Sequence, residues 1–273
     1  MQLLARHRQD VVRELFAATP YHLAIQAALA GAVPAQIFVD AADSPQIAVV
    51  WVRHRLYLAG APTGHNIAAF AAFFDGDLVA RALEAGMAVL KLHPLQAGWL
   101  DPLAHAFETR RHFFGVSQYY RRTVPTDPAP VTWPDTYSNH PVDAMLLATE
   151  GLEFVEQLRD EMCSERNSVD EFLANSFGVC TIHQAALAGW CLSEYNYGGA
   201  CEVGIETLEP HQRRGLATAM TLAFVQTAAT RGVHTAGWHC WANNVSSGAT
   251  ARKAGFTWVT DYPAGVVWVE QTN

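Results

Sequence analysis

Six residues, Gln212-Arg213-Arg214-Gly215-Leu216-Ala217, lie between a strand-like run, Cys201 to Thr207, and an amphipathic helical pattern, Thr218 to Arg231. A tight turn ahead of a helix presents backbone N–H groups that join the unpaired N–H groups of the first helical turn, and together they hold a pyrophosphate with little side-chain help. Gly215 permits close approach of backbone to phosphate, and Arg213 and Arg214 either add charge-assisted contacts to it or stand solvated on an acidic domain. The expected chemistry is capture of a phosphate-bearing ligand. A P-loop would need a Lys-Ser/Thr pair after the glycine, and Leu216-Ala217 stand there instead.

Carboxylates cluster just upstream. Glu202 and Glu206 share one face of their strand by period-two alternation, and Glu194 lies on the preceding strand. Groups so placed accept a proton or hold a cationic partner, which makes Glu202 the candidate base or water-orienting residue; the ordinary reading is a solvated strand face. Cys201, His239 and Cys240 form no nucleophilic dyad, because strand neighbours 239 and 240 point to opposite faces. His183, His211, His234 and His239 lack metal-ligand spacing, so no metal is expected. Trp190, Trp238, Trp241 and Trp258 fall on or near predicted strands, where core packing is the default.

These residues need a scaffold. Pro125, Pro128, Pro130 and Pro134 disfavour helix and mark a linker over 125–134, which divides the chain into parts 1–124 and 135–273. The first part reads as helices near Arg8 to Thr19, Tyr21 to Ala30, Asn66 to Phe74 and Leu78 to Ala85. Its strands are Ile37 to Asp40, Ile47 to Arg53, Arg55 to Ala59, Ala88 to Leu92 and Phe113 to Tyr120. In the second part, Asp143 to Arg159 is one helix broken at Gly151 or two short ones, and Val169 to Asn175 is another. Phe177 to His183 and Leu187 to Tyr195 form a hairpin, followed by the strand Cys201 to Thr207. A helix buries Leu216, Met220, Ala223, Phe224 and Ala228 and stops at Gly232. A strand over His234 to Trp241, a short helix over Ser246 to Ala254 ended by Gly255, and strands at Phe256 to Thr260 and Val266 to Glu270 complete the chain.

Composition narrows the function classes. The 273 residues are 50% hydrophobic and 16% charged, enough for two globular domains. No apolar run reaches about 18 residues and no secretory signal opens the sequence, so the expected location is cytoplasmic, with no membrane partner. Five cysteines without a C-x-x-C spacing argue against a disulfide framework. Of the formal charge of −8, residues 1–130 contribute 11 Lys/Arg against 10 Asp/Glu, and residues 131–273 contribute 7 against 16. Such an acidic C-terminal part repels nucleic acid and would favour a cationic small molecule, although negative charge mainly serves solubility.

The C-terminal part resembles the GNAT superfamily of acyl-CoA-dependent N-acyltransferases, whose acyl-CoA motif, Q/R-x-x-G-x-G/A between strand and helix, is matched by Gln212 to Ala217. Asn244, followed eleven residues later by Gly255-Phe256, matches a second family feature in the right order. The resemblance covers Cys201 to Phe256 specifically and extends to the first part only as a likeness to members with an N-terminal companion domain. It implies a mixed α/β fold: a central, mostly antiparallel twisted sheet flanked by helices, with an N-terminal α/β companion domain at 1–124 and the catalytic domain at 135–273.

The resemblance also implies acetyl-CoA as cosubstrate and direct acetyl transfer to a primary amine of a small molecule or peptide. Strands splayed on either side of the loop would admit the pantetheine arm beside Ile205, Glu206 and Thr207. The diphosphate would rest on Gln212 to Thr218, and Asn244 and Ser247 would reach the pantetheine amides; Asn244 is equally suited to cap a helix. Where the family often carries a tyrosine that protonates the departing thiolate, this sequence has Ala251. Ser247, Tyr195 or water would have to substitute, and the alternative is an acyl-CoA-binding sensor without catalysis.

Overall fold

The computed structural model describes residues 1–271. In chain order the first elements are β1 (Gln2–Leu3), α1 (Arg13–Phe16), α2 (Leu23–Leu29), β2 (Gln36–Val39), β3 (Ile47–Val52), β4 (Arg55–Gly60), α3 (Gly64–Phe73), α4 (Val79–Glu84), β5 (Val89–Pro94), α5 (Leu100–Ala106) and β6 (Arg110–Thr123). They are followed by β7 (Tyr137–Pro141), α6 (Ala144–Leu147), α7 (Val155–Ser164), α8 (Val169–Asn175), β8 (Gly178–His183), β9 (Ala186–Tyr197), β10 (Ala200–Thr207), α9 (Leu216–Thr230), β11 (Thr235–Trp241), α10 (Val245–Lys253) and β12 (Thr257–Gln271). Residues 1–117 with the chain from Asp261 onward make one compact unit, and residues 118–260 make the other. The divisions therefore fall inside β6 and β12, whereas the sequence reading sets the boundary at the proline-rich stretch and assigns the last strand to the C-terminal part.

In the first unit the strands run β1-β2-β3-β4-β5-β12. All pair antiparallel except β4 with β5. Continuous apolar sequence explains β3, whose six residues are all buried, as a strand covered on both faces must be. Phe70, Phe73, Phe74, Trp99 and Phe107 pack against Leu56, Leu58, Leu90, Leu92 and Val267. The two helices expected around Asn66 to Ala85 join through one π-helical turn, Phe74–Leu78, where Asp75 accepts from Arg110 Nε at 3.0 Å and Nη2 at 2.8 Å. The two strands expected at the C-terminus are the single strand β12. Gly265, inside that strand, serves close approach: a Cβ there would lie 2.2 Å from the Phe114 ring.

In the second unit the order is β12-β6-β11-β10-β9-β8-β7. β7 to β10 form an antiparallel meander, and β7, a polar segment, adds an edge strand that the sequence reading lacks. Alternation splits the strand residues between two faces. Val179 and Cys191 join a core with Leu216, Met220 and Phe224 of α9, while Cys180, Trp190 and Leu192 face Leu158, Met162 and Phe172 of α7 and α8. Helices thus cover both sides of a mostly antiparallel sheet. β10 and β11 are parallel, which requires a crossover, and α9 is that crossover. Its predicted stripe, Leu216, Met220, Ala223, Phe224 and Ala228, is buried throughout. It ends in a Schellman turn, with Gly232 N–H bonded to Ala229 O at 3.1 Å and Val233 N–H to Ala228 O at 3.0 Å. Among the described residues no helix is long and apolar enough to cross a membrane.

Candidate active site

Strand register creates the opening. β10 and β11 pair only over Ala200–Val203 with Thr235–Trp238, after which β10 continues to Thr207 and β11 to Trp241 without pairing to one another. β10 stays bound to β9 on its other edge as far as Thr207↔Gly189. One backbone edge of Ile205 to Thr207 is therefore turned toward a gap instead of a strand.

The loop after β10 leads from this gap into α9. Gln212 Nε2 donates to Thr207 O at 2.9 Å and ties the loop to the strand end. Arg213 (φ 61°) and Gly215 (φ 83°) both adopt the left-handed conformation, a geometry that concentrates amide N–H groups on one side. Gly215 is the N-cap of α9, so no side chain caps the helix, and its first turn carries no acid. Its first N–H groups and the positive end of its dipole are left for an anion. A cavity of about 670 Å³ lies here.

Ile205, Glu206, Thr207, Gln212, Arg213, Gly215, Leu216, Ala217, Thr218, Asn244 and Ser247 all line that cavity, and Arg214 lies outside the lining. The sequence reading lacks His211, Trp238 and the α10 residues Ser246, Thr250 and Lys253, which also line it. Ser246, Thr250 and Lys253 follow i, i+4, i+7 spacing, the signal that could have found them. Asn244 is a helix cap: its Oδ1 accepts from Ser247 N at 3.1 Å and Ser246 Oγ at 2.8 Å. At the other end of α10, Gly255 N–H bonds Arg252 O at 3.0 Å and Phe256 N–H bonds Ala251 O at 3.0 Å, with Phe256 buried. The spacing from Asn244 to Gly255-Phe256 is thus the length of one helix between its N-cap and its Schellman stop.

Ser247 Oγ accepts the Trp238 indole N–H at 3.0 Å. Tyr195 is fully buried and its hydroxyl donates to Glu165, which removes it from the cavity. Ala251 is fully buried beside Tyr120, and a Cβ on Gly248 would lie 2.8 Å from Tyr120 Oη. Small residues on this face of α10 make room for that ring.

On the sheet face away from α9 stands a second group of side chains. Glu202 is 3% exposed, so it is not on a solvated face. The β9–β10 register shifts there, setting Glu194 and Tyr195 opposite Glu202 in a β-bulge. A Cβ on Gly204 would lie 2.7 Å from the Glu194 carboxylate, which places that carboxylate on the Glu202 side. His239 Nε2 lies 3.5 Å from Glu202 Oε1, and the Tyr119 ring is 4.8 Å from the His239 ring. Burial, reinforced by Glu202, pushes the Tyr119 phenol up to about 12. The sequence reading sets His239 aside and does not reach Tyr119, because each meets Glu202 only through pairing of distant strands. His211 is pushed down by its partial burial, His183 and Arg214, and its Nδ1 is 3.0 Å from Tyr137 Oη. Among the described residues no cluster of three or more His, Cys, Asp or Glu is placed to hold a metal.

A family model described as GNAT acetyltransferase matches residues 13–264. The uncharacterized N-acetyltransferase YdfB of Bacillus subtilis is 33% identical over 96 residues, which span 35% of this chain and 36% of that relative. Two solved structures share the fold over nearly their full lengths. The GCN5-related N-acetyltransferase-like protein of Streptococcus suis has a TM-score of 0.70 at 19% identity, covering 96% of this chain and 98% of its own. The GCN5-related N-acetyltransferase of Sphaerobacter thermophilus has a TM-score of 0.65 at 14% identity, covering 100% and 96%. A tandem GNAT protein from the clavulanic acid biosynthesis pathway aligns over 99% of this chain and 98% of its own, with a TM-score of 0.58 at 14% identity.

Proposed function

Because this chain belongs to the GNAT acetyltransferase family, we propose that it transfers an acetyl group from acetyl-CoA to a primary amine of a small molecule or peptide by direct attack. The observation that carries this reading is the uncapped, acid-free N-terminus of α9 behind Gly215, opening onto the cavity where β10 and β11 part. The amides around Gly215 and the Arg213 guanidinium suit a diphosphate, and the free edge of Ile205 to Thr207 suits an amide-bearing pantetheine arm.

The coenzyme supplies a thioester, an electrophilic carbonyl with a fair leaving group. Glu202, with His239 at 3.5 Å and Glu194 beside it, takes the proton from the acceptor ammonium. The freed amine attacks the carbonyl carbon, the C–S bond breaks, the sulfur takes its proton from Ser247 Oγ–H, and the second proton that the nitrogen gives up as the amide forms passes through water to restore the Ser247 hydroxyl. The Trp238 indole N–H at 3.0 Å stabilises the Ser247 oxygen that gives up its proton. Glu202 and Glu194 on the sheet face away from α9, with the acidic second part of the chain, favour a cationic acceptor.

Calorimetric titration with acetyl-CoA tests the cradle. Wild type should bind, and Gly215→Glu, which sets a carboxylate where the anion should sit, should weaken binding at least about tenfold. No binding by wild type overturns the proposal. Ala251, which has no hydroxyl where the family's acid usually stands, favours a second reading as an acyl-CoA sensor. Thiol release across a panel of amines separates the two, since a sensor binds without accelerating release.

A further inference from the structure

The cavity is cationic on an acidic part of the chain. Of the 7 Lys/Arg in residues 131–273, Arg213 and Lys253 line it, whereas Glu206 alone does so among the 16 Asp/Glu. Arg213 belongs to the loop and stands with the amide fan. Lys253 belongs to the far end of α10, nine residues and about 13 Å along the helix from Asn244. Its neighbour Arg252 is committed elsewhere, with Nη1 donating to Tyr120 Oη at 2.9 Å and the guanidinium 5.8 Å from that ring. On the cavity face of α10, Thr250 Oγ1 donates to Ser246 O at 2.9 Å and Ser246 Oγ to Asn244 Oδ1 at 2.8 Å. Both hydroxyl protons are used. Lys253 makes no ion pair among the described residues, so its ammonium is the cation this face offers to a ligand.

Coenzyme A carries a third phosphate, a monoester on the ribose, that the diphosphate cradle does not account for. We infer that Lys253 binds this 3′-phosphate and makes the protein select coenzyme A over its dephospho form. The inference rests on the coenzyme reading above and adds to it the selectivity of the site. A lysine in the last helical turn also complements the helix dipole, but that role would move stability and leave selectivity alone.

The test is calorimetric titration of the full chain with coenzyme A and, separately, with dephospho-coenzyme A, using wild type, Lys253→Gln and Lys253→Arg. One charge-assisted contact near the surface corresponds to a preference of about fivefold for coenzyme A. Wild type and Lys253→Arg should show that gap. Lys253→Gln should lose it through weaker binding of coenzyme A alone, and its unchanged affinity for the dephospho form verifies that it is folded. A gap that survives in Lys253→Gln, or equal binding of both compounds by wild type, overturns the inference and leaves the coenzyme reading intact. Failure of wild type to bind either compound overturns the coenzyme reading itself.

Discussion

Arg213 and Arg214 are adjacent in sequence and unequal in place. Arg213 lines the cavity with a left-handed backbone, and Arg214 lies outside it. Arg213→Glu should weaken acetyl-CoA binding about tenfold, whereas Arg214→Glu should change it less than about twofold; calorimetry on the two single variants checks this. The split between these residues was hidden in the sequence, because a hexapeptide shows spacing and not which side chain turns inward. What the hexapeptide did show was the tight turn ahead of α9, since a turn with left-handed residues at 213 and 215 is local by nature. The group around Glu202 is the opposite case. Its members come from β6, β9, β10 and β11, and only the sheet register brings Tyr119 and His239 to it.

At the scale of one element, α10 shows how a family signature can be folding chemistry. Its terminal residues close a helix: Asn244 at the start, Gly255 and Phe256 at the stop. Asn244 carries a second duty if its amide nitrogen meets the coenzyme, and two substitutions separate the duties. Asn244→Ala should lose about 1 kcal/mol of stability in urea unfolding together with coenzyme affinity. Asn244→Asp keeps a capping oxygen and should hold its stability while affinity falls. Elements with regular apolar periods were legible, as α9 and β3 demonstrate. Those missed were set by partners distant in sequence. The break expected between Thr260 and Val266 is absent, with Gly265 packed against Phe114, and β7 is too polar to announce a strand without β8 beside it.

For the molecule as a whole, the chain order and the compact units do not coincide. The residues from Asp261 onward return to the first unit, where Gly265 to Trp268 pair with Leu92 to Val89 and Val267 sits fully buried. Ending the chain at Thr260 should therefore strip β5 of a neighbour and expose its edge. Limited proteolysis should then cut within residues 1–117 faster than in the full chain, and cleavage rates equal to those of the full chain would contradict this role. A cut chosen from the prolines near 125–134 would instead leave Tyr120 and Val124, both buried in the core of the second unit, on the wrong fragment.

The early parting of β10 from β11 has one more consequence. Beyond Val203 and Trp238, polar backbone groups along the diverging rims are hydrated whenever nothing else occupies the crevice. A guest bearing amides of its own would complete an unfinished ladder, so that its concentration enters directly into how firmly this region holds together. Survival of the protein on heating would then track the supply of coenzyme around it.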